Sequence, residues 1–303
     1  MSLVTASAPG KVVLAGEYAV LDGAPAIAMA VNRRAIARYT PGPFSITCEG
    51  VVEGSDRTLF DAVLSGLSLD IEAGEFTLDT RGFTDPVSGA KLGIGSSAAL
   101  SVALNLLLGR IGDKEAEAHA AHRAFQQGAG SGIDVAVSTT GGLIEFRREG
   151  YRVSPIDWPE GLQYRLLWSG VPSSTRDKLA KLDAGGPSRD RLADAAASVA
   201  AAWRSGEAAA VVAGTRDYVA ALEAFDADYR IGIFEAGHAE LVAAAPETLA
   251  YKSCGAGGGD LGIALGTDRD ALDAFVDVAR EHGFASLDLR VDRHGAAISG
   301  AAA

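Results

Sequence analysis

The stretch KLGIGSSAALSVALNLLLGR, residues 91–110, joins a glycine-rich loop to the strongest helix pattern in the chain. Glycines let the backbone come close to a ligand and turn its N–H groups inward. The first turn of a helix adds unpaired N–H groups and the positive end of the helix dipole. Together these features predict an anion site, most often one for phosphate. The spacing is neither GxxxxGK[ST] nor GxGxxG, which disfavours an ordinary Walker A loop and a Rossmann turn.

Ser96 and Ser97 stand where this loop meets the helix, and two interpretations are open. One of the two is a helix N-cap, because a serine hydroxyl accepts a hydrogen bond from an unpaired backbone N–H. Alternatively, one hydroxyl is a Mg²⁺ ligand while the other donates to a phosphate. Both interpretations can hold at once, and Ser97 is our first choice for the hydroxyl that faces the metal.

Two further glycine-rich stretches carry candidate functional residues. Lys11 directly follows Pro9-Gly10, which predicts a turn between strands 3–8 and 11–15. Such a lysine is either an ordinary surface residue or one that projects from a strand edge. In SCGAGGGD, residues 253–260, glycines occupy four of five consecutive positions. Ordering so many glycines is costly, so we expect a close backbone approach there rather than a plain turn.

Asp134 begins an apolar segment within GSGIDVA, residues 130–136. It is either a carboxylate that caps a helix or a catalytic carboxylate that faces a lysine. If the site holds a second phosphate beside the first, more cations are needed, and Lys91 is the leading candidate because it adjoins the 93–99 loop. Other candidates for that cation follow in the chain: Arg147, Arg148, Arg176 and Lys178.

Composition and charge exclude several classes of protein. The chain of 303 residues has a formal net charge of −12, which disfavours a nucleic-acid-binding surface. It shows neither the apolar run of a membrane span nor the pattern of a signal peptide. Cys48 and Cys254 lie far apart, and the histidines lack zinc-site spacing, so neither a disulfide framework nor a zinc site is predicted. We therefore expect a cytoplasmic protein.

Strand and helix patterns are interleaved along the chain, which predicts an α/β or α+β fold with a boundary near residues 150–162. The tail from Gly295 is expected to fray. The predicted strands span 3–8, 11–15, 25–39 with an internal turn, 44–52, 76–81, 143–148, 163–168, 247–253, 261–265 and 285–298. The predicted helices span 96–110, 113–127, 132–140, 186–225 with a break near Gly206, 231–244 and 269–281.

Three ordered motifs resemble those of the GHMP kinases, the superfamily of galactokinase, homoserine kinase, mevalonate kinase and phosphomevalonate kinase. They are APGKVVLAGEY at 8–18, GIGSSAA at 93–99 and CGAGGGD at 254–260. The resemblance covers most of the chain and implies a two-domain α+β fold. Residues 1–160 would form an N-terminal ribosomal-S5-like mixed domain, and residues 161–303 a C-terminal ferredoxin-like domain. ATP and Mg²⁺ would be the cofactors, with the ATP phosphates on the 93–99 loop.

Within this superfamily the chain is most similar to phosphomevalonate kinases. The similarity lies in GEYAVL at 16–21, in Lys91 before the loop, and in WSGVPSST at 168–175. Phe125-Gln126-Gln127 departs from the family's Ala-Gln. The resemblance implies phosphorylation of 5-phosphomevalonate to 5-diphosphomevalonate in the mevalonate route to isoprenoids. The alternatives are a mevalonate kinase, another GHMP kinase of small molecules, and a non-catalytic nucleotide-binding sensor.

The resemblance also implies roles for individual residues. Asp134 would accept the proton of the attacking oxygen or orient that oxygen, and Lys11 would neutralise charge in the transition state. Retention of both residues argues against the sensor. Nucleotide contacts would come from Gly93, Gly95, Ser96, Ser97 and Ala98, with Ser97 as the metal ligand. Substrate contacts would come from Lys91, Ser131, Gly132, Ser174, Thr175, Gly255, Ala256 and Gly257. The expected partner is a small molecule, without nucleic acid or membrane, bound by a monomer or a homodimer.

Overall fold

The computed structural model describes residues 3–50, 53–111, 130–173, 178, 181–182 and 187–300. The predicted helix at 113–127 lies outside these residues. Contacts group the chain into two compact units. Unit 1 contains Met1–Lys11, Met29–Gly142 and Arg290–Ala303, and unit 2 contains Val12–Ala28 and Leu143–Leu289. Each unit is made of segments that are separate in sequence, so no single boundary divides the chain. The domains 1–160 and 161–303 stay a prediction.

The strands, in chain order, are β1 (Val4–Ala15), β2 (Ala26–Pro43), β3 (Ser45–Glu49), β4 (Ala73–Asp79), β5 (Leu143–Arg147), β6 (Arg152–Ile156), β7 (Gln163–Trp168), β8 (Leu249–Ser253), β9 (Leu261–Gly266), β10 (Ala285–Leu287) and β11 (Ala297–Ser299). The α-helices of the described ranges are α1 (Glu53–Gly66), α2 (Ser96–Ile111), α3 (Ile133–Thr140), α4 (Pro187–Ser205), α5 (Ala208–Tyr229), α6 (His238–Ala244) and α7 (Arg269–Glu281). None of them has the length and apolar character of a membrane-spanning helix in the ranges that the structure describes.

Unit 1 is built on a sheet whose strands lie in the order β11-β1-β2-β4-β3. β1 pairs antiparallel with β11, β2 antiparallel with β4, and β3 parallel with β4. Helix α2 packs against α1 and α3. Its residues from Ala98 to Asn105 are all buried, because the alanines allow close packing and the leucines fill the core. The helix predicted at 96–110 is confirmed, and its burial fixes the loop that precedes it.

Unit 2 contains a four-stranded antiparallel sheet in the order β10-β7-β9-β8. The chain runs from β7 through α4, α5 and α6 to the β8–β9 hairpin, and then through α7 to β10. This β-α-β-β-α-β arrangement is the ferredoxin-like one, so that expectation for the C-terminal half is confirmed. Helix α7 buries Leu272, Phe275, Val276 and Ala279 on one face, the spacing that predicted it. The unit also holds the β5–β6 hairpin.

Several sequence-based predictions about single elements are wrong. Pro9-Gly10 does not end a strand, because β1 continues through both residues. A Cβ atom on Gly10 would lie 2.8 Å from the Ile94 carbonyl oxygen, so the glycine permits a close approach rather than a turn. β2 likewise runs without the predicted turn, and α1 was not predicted. The helix predicted at 231–244 begins only at His238.

The segment that follows Leu289 is held against β1 and β2 rather than frayed. β11 pairs with β1, placing Ser299 opposite Thr5. The Arg34 guanidinium donates to Ser7 Oγ at 3.1 Å, Asp292 Oδ2 at 2.7 Å and the Gly295 carbonyl at 2.8 Å. Because one side chain joins three separate stretches of unit 1, we expect Arg34 to contribute to its stability.

We expect Arg34→Met to lower the free energy of unfolding by about 2–3 kcal/mol, since acceptors that include a carboxylate lose a charged donor. Urea unfolding of the full chain measures this change. Arg33→Met is the matched control, because Arg33 is the adjacent arginine on β2 and its side chain is exposed. Equal losses for the two variants would contradict the assigned role of Arg34.

Candidate active site

Lys11 and Asp134 face each other in unit 1. Lys11 Nζ lies 3.5 Å from Asp134 Oδ2, and the two side chains are 11% and 30% exposed. The pair is therefore shielded from bulk water but still accessible to a ligand. The juxtaposition expected from the motifs is present in the structure, and the catalytic roles of the two residues stay a prediction.

The start of α3 positions Asp134. Gly132 precedes the helix with a φ of 90°, a conformation that glycine adopts without strain. The Ser131 hydroxyl accepts a hydrogen bond from the Ile133 N–H at 3.3 Å, so a serine supplies the local side-chain acceptor. Asp134 lies in the first turn of α3, where the helix dipole favours a carboxylate. It is therefore not the N-cap residue, and its side chain is directed to Lys11.

The loop before α2 lies against Lys11. The Lys11 N–H donates to the Ile94 carbonyl at 2.9 Å. Gly93 and Gly95 have φ values of 72° and 79°. A Cβ atom on Gly95 would lie 2.8 Å from Lys11 Cε, so the glycine leaves room for the lysine side chain. Strand β1, the loop and α3 thus bring three distant stretches of sequence together around one lysine.

The first turn of α2 presents backbone donors at the end of this loop. The Ala99 N–H donates to the Gly95 carbonyl at 3.1 Å, which closes the first turn. The N–H groups of Ser96, Ser97 and Ala98 donate to no acceptor in the part of the chain that the structure describes. Such groups, with the helix dipole behind them, are the donors that bind phosphate oxygens. The donor set therefore fits the phosphates of a nucleotide.

We expect Gly95→Ala to lower kcat by about 100-fold, because a methyl group there displaces Lys11 and such displacements cost about two orders of magnitude. Gly89→Ala is the matched control. Its φ of 71° imposes similar backbone strain, yet a Cβ atom there meets nothing within 4 Å. Steady-state kinetics with thermal melting of both variants separates the two effects. Similar kcat values for the two variants would contradict the role given to the Gly95–Lys11 contact.

The described residues contain no group of three or more His, Cys, Asp or Glu side chains arranged to hold a metal ion. A Mg²⁺ ion in a nucleotide site does not need such a group, because it keeps several waters and binds substrate phosphates. Ser97 is half-buried in the first turn of α2, where its hydroxyl can serve as one ligand. Its assignment as the metal ligand stays a prediction.

In the glycine loop, residues 254–260 of unit 2, backbone carbonyl groups accept hydrogen bonds from residues outside the loop. The N–H groups of Gly255 and Ala256 donate to no acceptor within the described ranges. The loop therefore turns carbonyls towards the protein and leaves backbone donors for an anionic ligand. The contacts to the carbonyl oxygens are the Tyr18 hydroxyl to Ala256 at 2.6 Å, the Ser173 hydroxyl to Gly257 at 2.5 Å, His238 Nε2 to Gly259 at 3.1 Å and the Ser169 N–H to Asp260 at 2.9 Å.

Gly257 shows why this loop is rich in glycine. Its φ is 71°, and a Cβ atom there would lie 2.5 Å from the Ile233 carbonyl oxygen. That same carbonyl accepts a hydrogen bond from the Gly258 N–H at 2.7 Å. The loop thus rests directly on the backbone of the 231–233 turn, as the composition of the stretch predicted.

Glu17 and Lys252 form an ion pair inside unit 2. Lys252 is fully buried, and the Glu17 side chain is 5% exposed. The Tyr218 hydroxyl lies 3.0 Å from the Glu17 carbonyl oxygen and 3.3 Å from its carboxylate. Burial raises the pKa of Tyr218 well above its usual value, so this hydroxyl keeps its proton and donates. Lys252 is the last residue but one of β8, close to the glycine loop, and sequence reasoning did not single it out.

Tyr18, which follows Glu17 in the first motif, has a φ of 64° that is unusual for a non-glycine residue. Its hydroxyl donates to the Ala256 carbonyl, and burial raises its pKa above the ordinary value. Tyr18, at the end of the motif APGKVVLAGEY, therefore holds the glycine loop at Ala256. Lys11, at the first half, belongs to the other unit.

The remaining predicted substrate contacts differ in outcome. Lys91 is exposed at the start of the 93–99 loop, where its backbone forms a bridge with Thr84. Lys178 is buried and donates to the carbonyls of Ile231 at 2.9 Å and Gly232 at 2.7 Å. Burial lowers the pKa of Lys178, and its ammonium group binds backbone rather than being exposed to a substrate. The other candidates Ser174, Thr175 and Arg176 lie outside the described residues.

The other two candidate cations have protein partners. Arg147 Nε lies 3.3 Å from Glu145 Oε1, and Arg148 donates to the Leu21 carbonyl at 3.3 Å. Both belong to unit 2, and their contacts are those of structural residues. Lys91 stays our prediction for the second cation because of its place directly before the 93–99 loop.

The chain is similar in sequence to several kinases. It is 28% identical to the phosphomevalonate kinase of Streptomyces sp. (strain CL190), over 85% of this chain and 88% of that protein. It is 36% identical to the mevalonate kinase of Methanothermobacter thermautotrophicus, over 46% of this chain and 49% of that protein. The match with the mevalonate kinase of Pyrococcus horikoshii is 32% and spans 60% of that protein. The chain thus spans about half to nine-tenths of these relatives. No family model matches it.

Solved structures share the fold at low sequence identity. A Lin0012 protein from Listeria innocua superposes with a TM-score of 0.83 at 20% identity, over 99% of this chain and 100% of that one. The Streptococcus pneumoniae phosphomevalonate kinase in complex with phosphomevalonate and AMPPNP gives 0.76 at 17%, over 95% and 99%. The L. major mevalonate kinase in complex with R-mevalonate gives 0.72 at 20%, over 95% and 96%. The sequence and structure matches confirm the resemblance that the three motifs indicated.

Proposed function

We propose that this chain, which has the sequence motifs and fold of the GHMP kinases, transfers a phosphoryl group from ATP to 5-phosphomevalonate to give 5-diphosphomevalonate. The observation that carries the proposal is the Lys11–Asp134 pair set against a glycine loop at the start of α2. Phosphoryl transfer needs positioning and charge neutralisation more than covalent help. The loop supplies positioning, and Lys11 with the unpaired N–H groups supplies positive charge.

ATP supplies the phosphoryl group, and Mg²⁺ offsets part of its charge. The loop residues Gly93 and Gly95 and the first turn of α2 bind the phosphate oxygens through backbone N–H groups. Ser97 contributes a hydroxyl to the metal, with Ser96 as the alternative. Lys11 neutralises charge as it develops on the transferred group.

Asp134 acts on the attacking oxygen of the acceptor. A phosphate monoester has a second pKa of about 6, so most of its protons are already lost at neutral pH. With such an acceptor, Asp134 chiefly orients the attacking group together with Lys11. With a hydroxyl acceptor, the same carboxylate has to accept a proton. The dependence of catalysis on Asp134 therefore differs between the two acceptors.

Two observations favour phosphomevalonate as the acceptor. The phosphomevalonate kinase of Streptomyces matches 85% of this chain, while the matched mevalonate kinases cover 46% and 58%. Lys91 and the WSGVPSST stretch resemble the phosphomevalonate kinase pattern, and a phosphate acceptor requires an added cation. A mevalonate kinase is the second candidate, which the higher identity of 36% to the Methanothermobacter enzyme favours.

The deciding experiment is ADP release from Mg-ATP, with mevalonate and 5-phosphomevalonate offered in parallel. Turnover with 5-phosphomevalonate alone supports the proposal and makes Lys91→Met the next variant. Turnover with mevalonate alone establishes the second candidate instead. ADP binding without turnover of either compound contradicts both and favours a kinase with a different small-molecule acceptor or a nucleotide-binding sensor.

We expect Ser97→Ala to shift the Mg²⁺ concentration that gives half-maximal activity upward by about tenfold, because one oxygen ligand is lost. The shift is measured by titrating Mg²⁺ at saturating substrates. Ser96→Ala is the matched control, one residue earlier in the same turn. If only Ser96→Ala shifts the titration, the metal ligand is Ser96.

A further inference from the structure

His238 is buried in unit 2 with both ring nitrogens engaged. Nδ1 lies 2.7 Å from the Tyr251 hydroxyl, and Nε2 lies 3.1 Å from the Gly259 carbonyl oxygen. The residue is the first of α6, and none of its surface is exposed. Because Gly259 belongs to the glycine loop, His238 links that loop to β8, the strand of Tyr251.

The two contacts fix the tautomer of His238. A carbonyl oxygen only accepts hydrogen bonds, so Nε2 carries the proton and donates to Gly259. Nδ1 then accepts from the Tyr251 hydroxyl, which keeps its proton because burial raises its pKa well above the usual value. Burial also lowers the pKa of His238 to about 4. Tyr251 therefore donates to neutral His238, and His238 in turn donates to the Gly259 carbonyl of the loop.

The surroundings leave the His238 ring little freedom. Phe284 packs against it edge to face, with ring centroids 5.2 Å apart, and the Tyr251 ring lies nearly parallel to it. Gly262 on β9 faces the Tyr251 hydroxyl so closely that a Cβ atom there would overlap it. The donor that sets the His238 tautomer is thus itself held in place.

The loop is also constrained on the other side of the same peptide. Gly259 has a φ of 147°, and a Cβ atom there would lie 2.5 Å from the Val171 carbonyl oxygen. The next residue, Asp260, donates its N–H to that carbonyl at 2.7 Å. The Val171 carbonyl accepts a hydrogen bond from the Asp260 N–H, and His238 donates to the Gly259 carbonyl. The peptide group between residues 259 and 260 is therefore held in one orientation.

We propose that His238 is a positioning residue that holds the glycine loop, residues 254–260, so that its unpaired N–H groups meet an anionic oxygen of the acceptor substrate. The role of the loop in binding the acceptor rests on the proposed function. The role of His238 in holding the loop rests on the two hydrogen bonds alone. The two parts are therefore tested by separate measurements.

The variants follow from the hydrogen bonds. His238→Leu removes both, and His238→Gln restores one donor and one acceptor. Tyr251→Phe removes only the hydroxyl that donates to His238 Nδ1. If His238→Leu does not fold, this milder variant still tests whether His238 holds the loop. His282→Leu is the matched control, because His282 is exposed at the end of α7.

The first measurement is hydrogen–deuterium exchange of the full chain without ligand. Loss of one net hydrogen bond corresponds to about a tenfold change, so we expect amides of 254–260 to exchange about tenfold faster in His238→Leu. His238→Gln should stay within about twofold of the wild type, and Tyr251→Phe should fall between the two. Faster exchange spread evenly through unit 2, or an unchanged loop, would overturn the positioning role.

The second measurement is equilibrium binding, with 5-phosphomevalonate and ADP titrated separately. We expect His238→Leu to raise the Kd and the KM for 5-phosphomevalonate about tenfold, with rescue by His238→Gln. The Kd for ADP should not change, because the loop at 93–98 belongs to unit 1. An unchanged Kd for 5-phosphomevalonate with a loosened loop would overturn the contact with the acceptor. A wild-type protein that binds no 5-phosphomevalonate defeats the proposed function, while the exchange data still decide the role of His238.

Discussion

Asp134→Asn is expected to lower kcat by about 10²–10⁴-fold, the range for loss of a catalytic carboxylate. The amide keeps the shape of the side chain and removes both its charge and its basicity. The fold should tolerate the change, because the Lys11–Asp134 pair is partly exposed and such pairs contribute about 1 kcal/mol or less to stability. Steady-state kinetics and urea unfolding of the same preparation separate the two effects.

The loss should be larger with mevalonate than with 5-phosphomevalonate if both are offered at high concentration. A hydroxyl acceptor has to lose its proton to Asp134, whereas the phosphate acceptor is mostly ionised already. Lys11→Met should lower kcat by about 10²–10³-fold, as expected for loss of a charge that stabilises the transition state. Because the two residues act as a unit, the double variant should lose much less than the product of the single losses.

Asp61→Asn is the matched control for Asp134→Asn. Asp61 is also paired with a basic side chain, Arg57, at 3.1 Å, but both of these residues are exposed on α1. We expect Asp61→Asn to leave kcat within about twofold of the wild type, as for a surface ion pair. A near-normal kcat for Asp134→Asn would remove Asp134 from the catalytic machinery and leave the 93–99 loop as an anion site without an assigned reaction.

Lys252→Met is expected to lower the free energy of unfolding by about 3–5 kcal/mol, the largest stability loss we anticipate in unit 2. The substitution leaves the Glu17 carboxylate buried without its positive partner. The Tyr218 hydroxyl, which lies near the backbone carbonyl oxygen and Oε2 of Glu17, cannot replace a charge. Denaturant unfolding of the wild type and variant gives the difference directly.

A double variant tests the reason for this loss. Glu17→Gln combined with Lys252→Met removes both charges, so it should recover a substantial part of the stability lost in Lys252→Met. Arg280→Met is the surface control, since Arg280 pairs with Asp277 at 2.6 Å while both side chains are largely exposed. We expect its effect to be about 0.5 kcal/mol or less. A loss for Lys252→Met no larger than this would mean that the buried pair does not hold the end of β8.

The parts of the fold and site that sequence predicts are those with local signals. Three features each lie within one short stretch of chain: the 93–99 loop with α2, the start of α3 at Asp134, and the amphipathic α7. Lys11 and Asp134 were joined only because the motifs resembled those of a known superfamily. Their separation of more than a hundred positions contains no local signal of contact.

The residues that sequence reasoning missed act through partners distant in sequence. His238 has an ordinary helical neighbourhood, and its partners Tyr251 and Gly259 follow 13 and 21 positions later. Lys252 did carry a signal, because it lies in a strand whose other residues are apolar or small and which the structure buries entirely. A charged residue in such a strand requires a partner, although the sequence does not say which one. Pro9-Gly10 was misread because a turn and a close contact favour the same residues.

The pairing of β1 with β11 has a consequence for synthesis of the chain. Thr5 and Ser299 are 294 positions apart, and everything in unit 2 is translated between them. At a translation rate of about 5–20 residues per second, β11 is synthesised about 15–60 s after β1. The nascent chain can therefore complete unit 2 while unit 1, which carries the 93–99 loop, is still unfinished. Assembly of Lys11, Asp134 and the 93–99 loop into a finished unit therefore requires the synthesis of β11, which comes after all of unit 2.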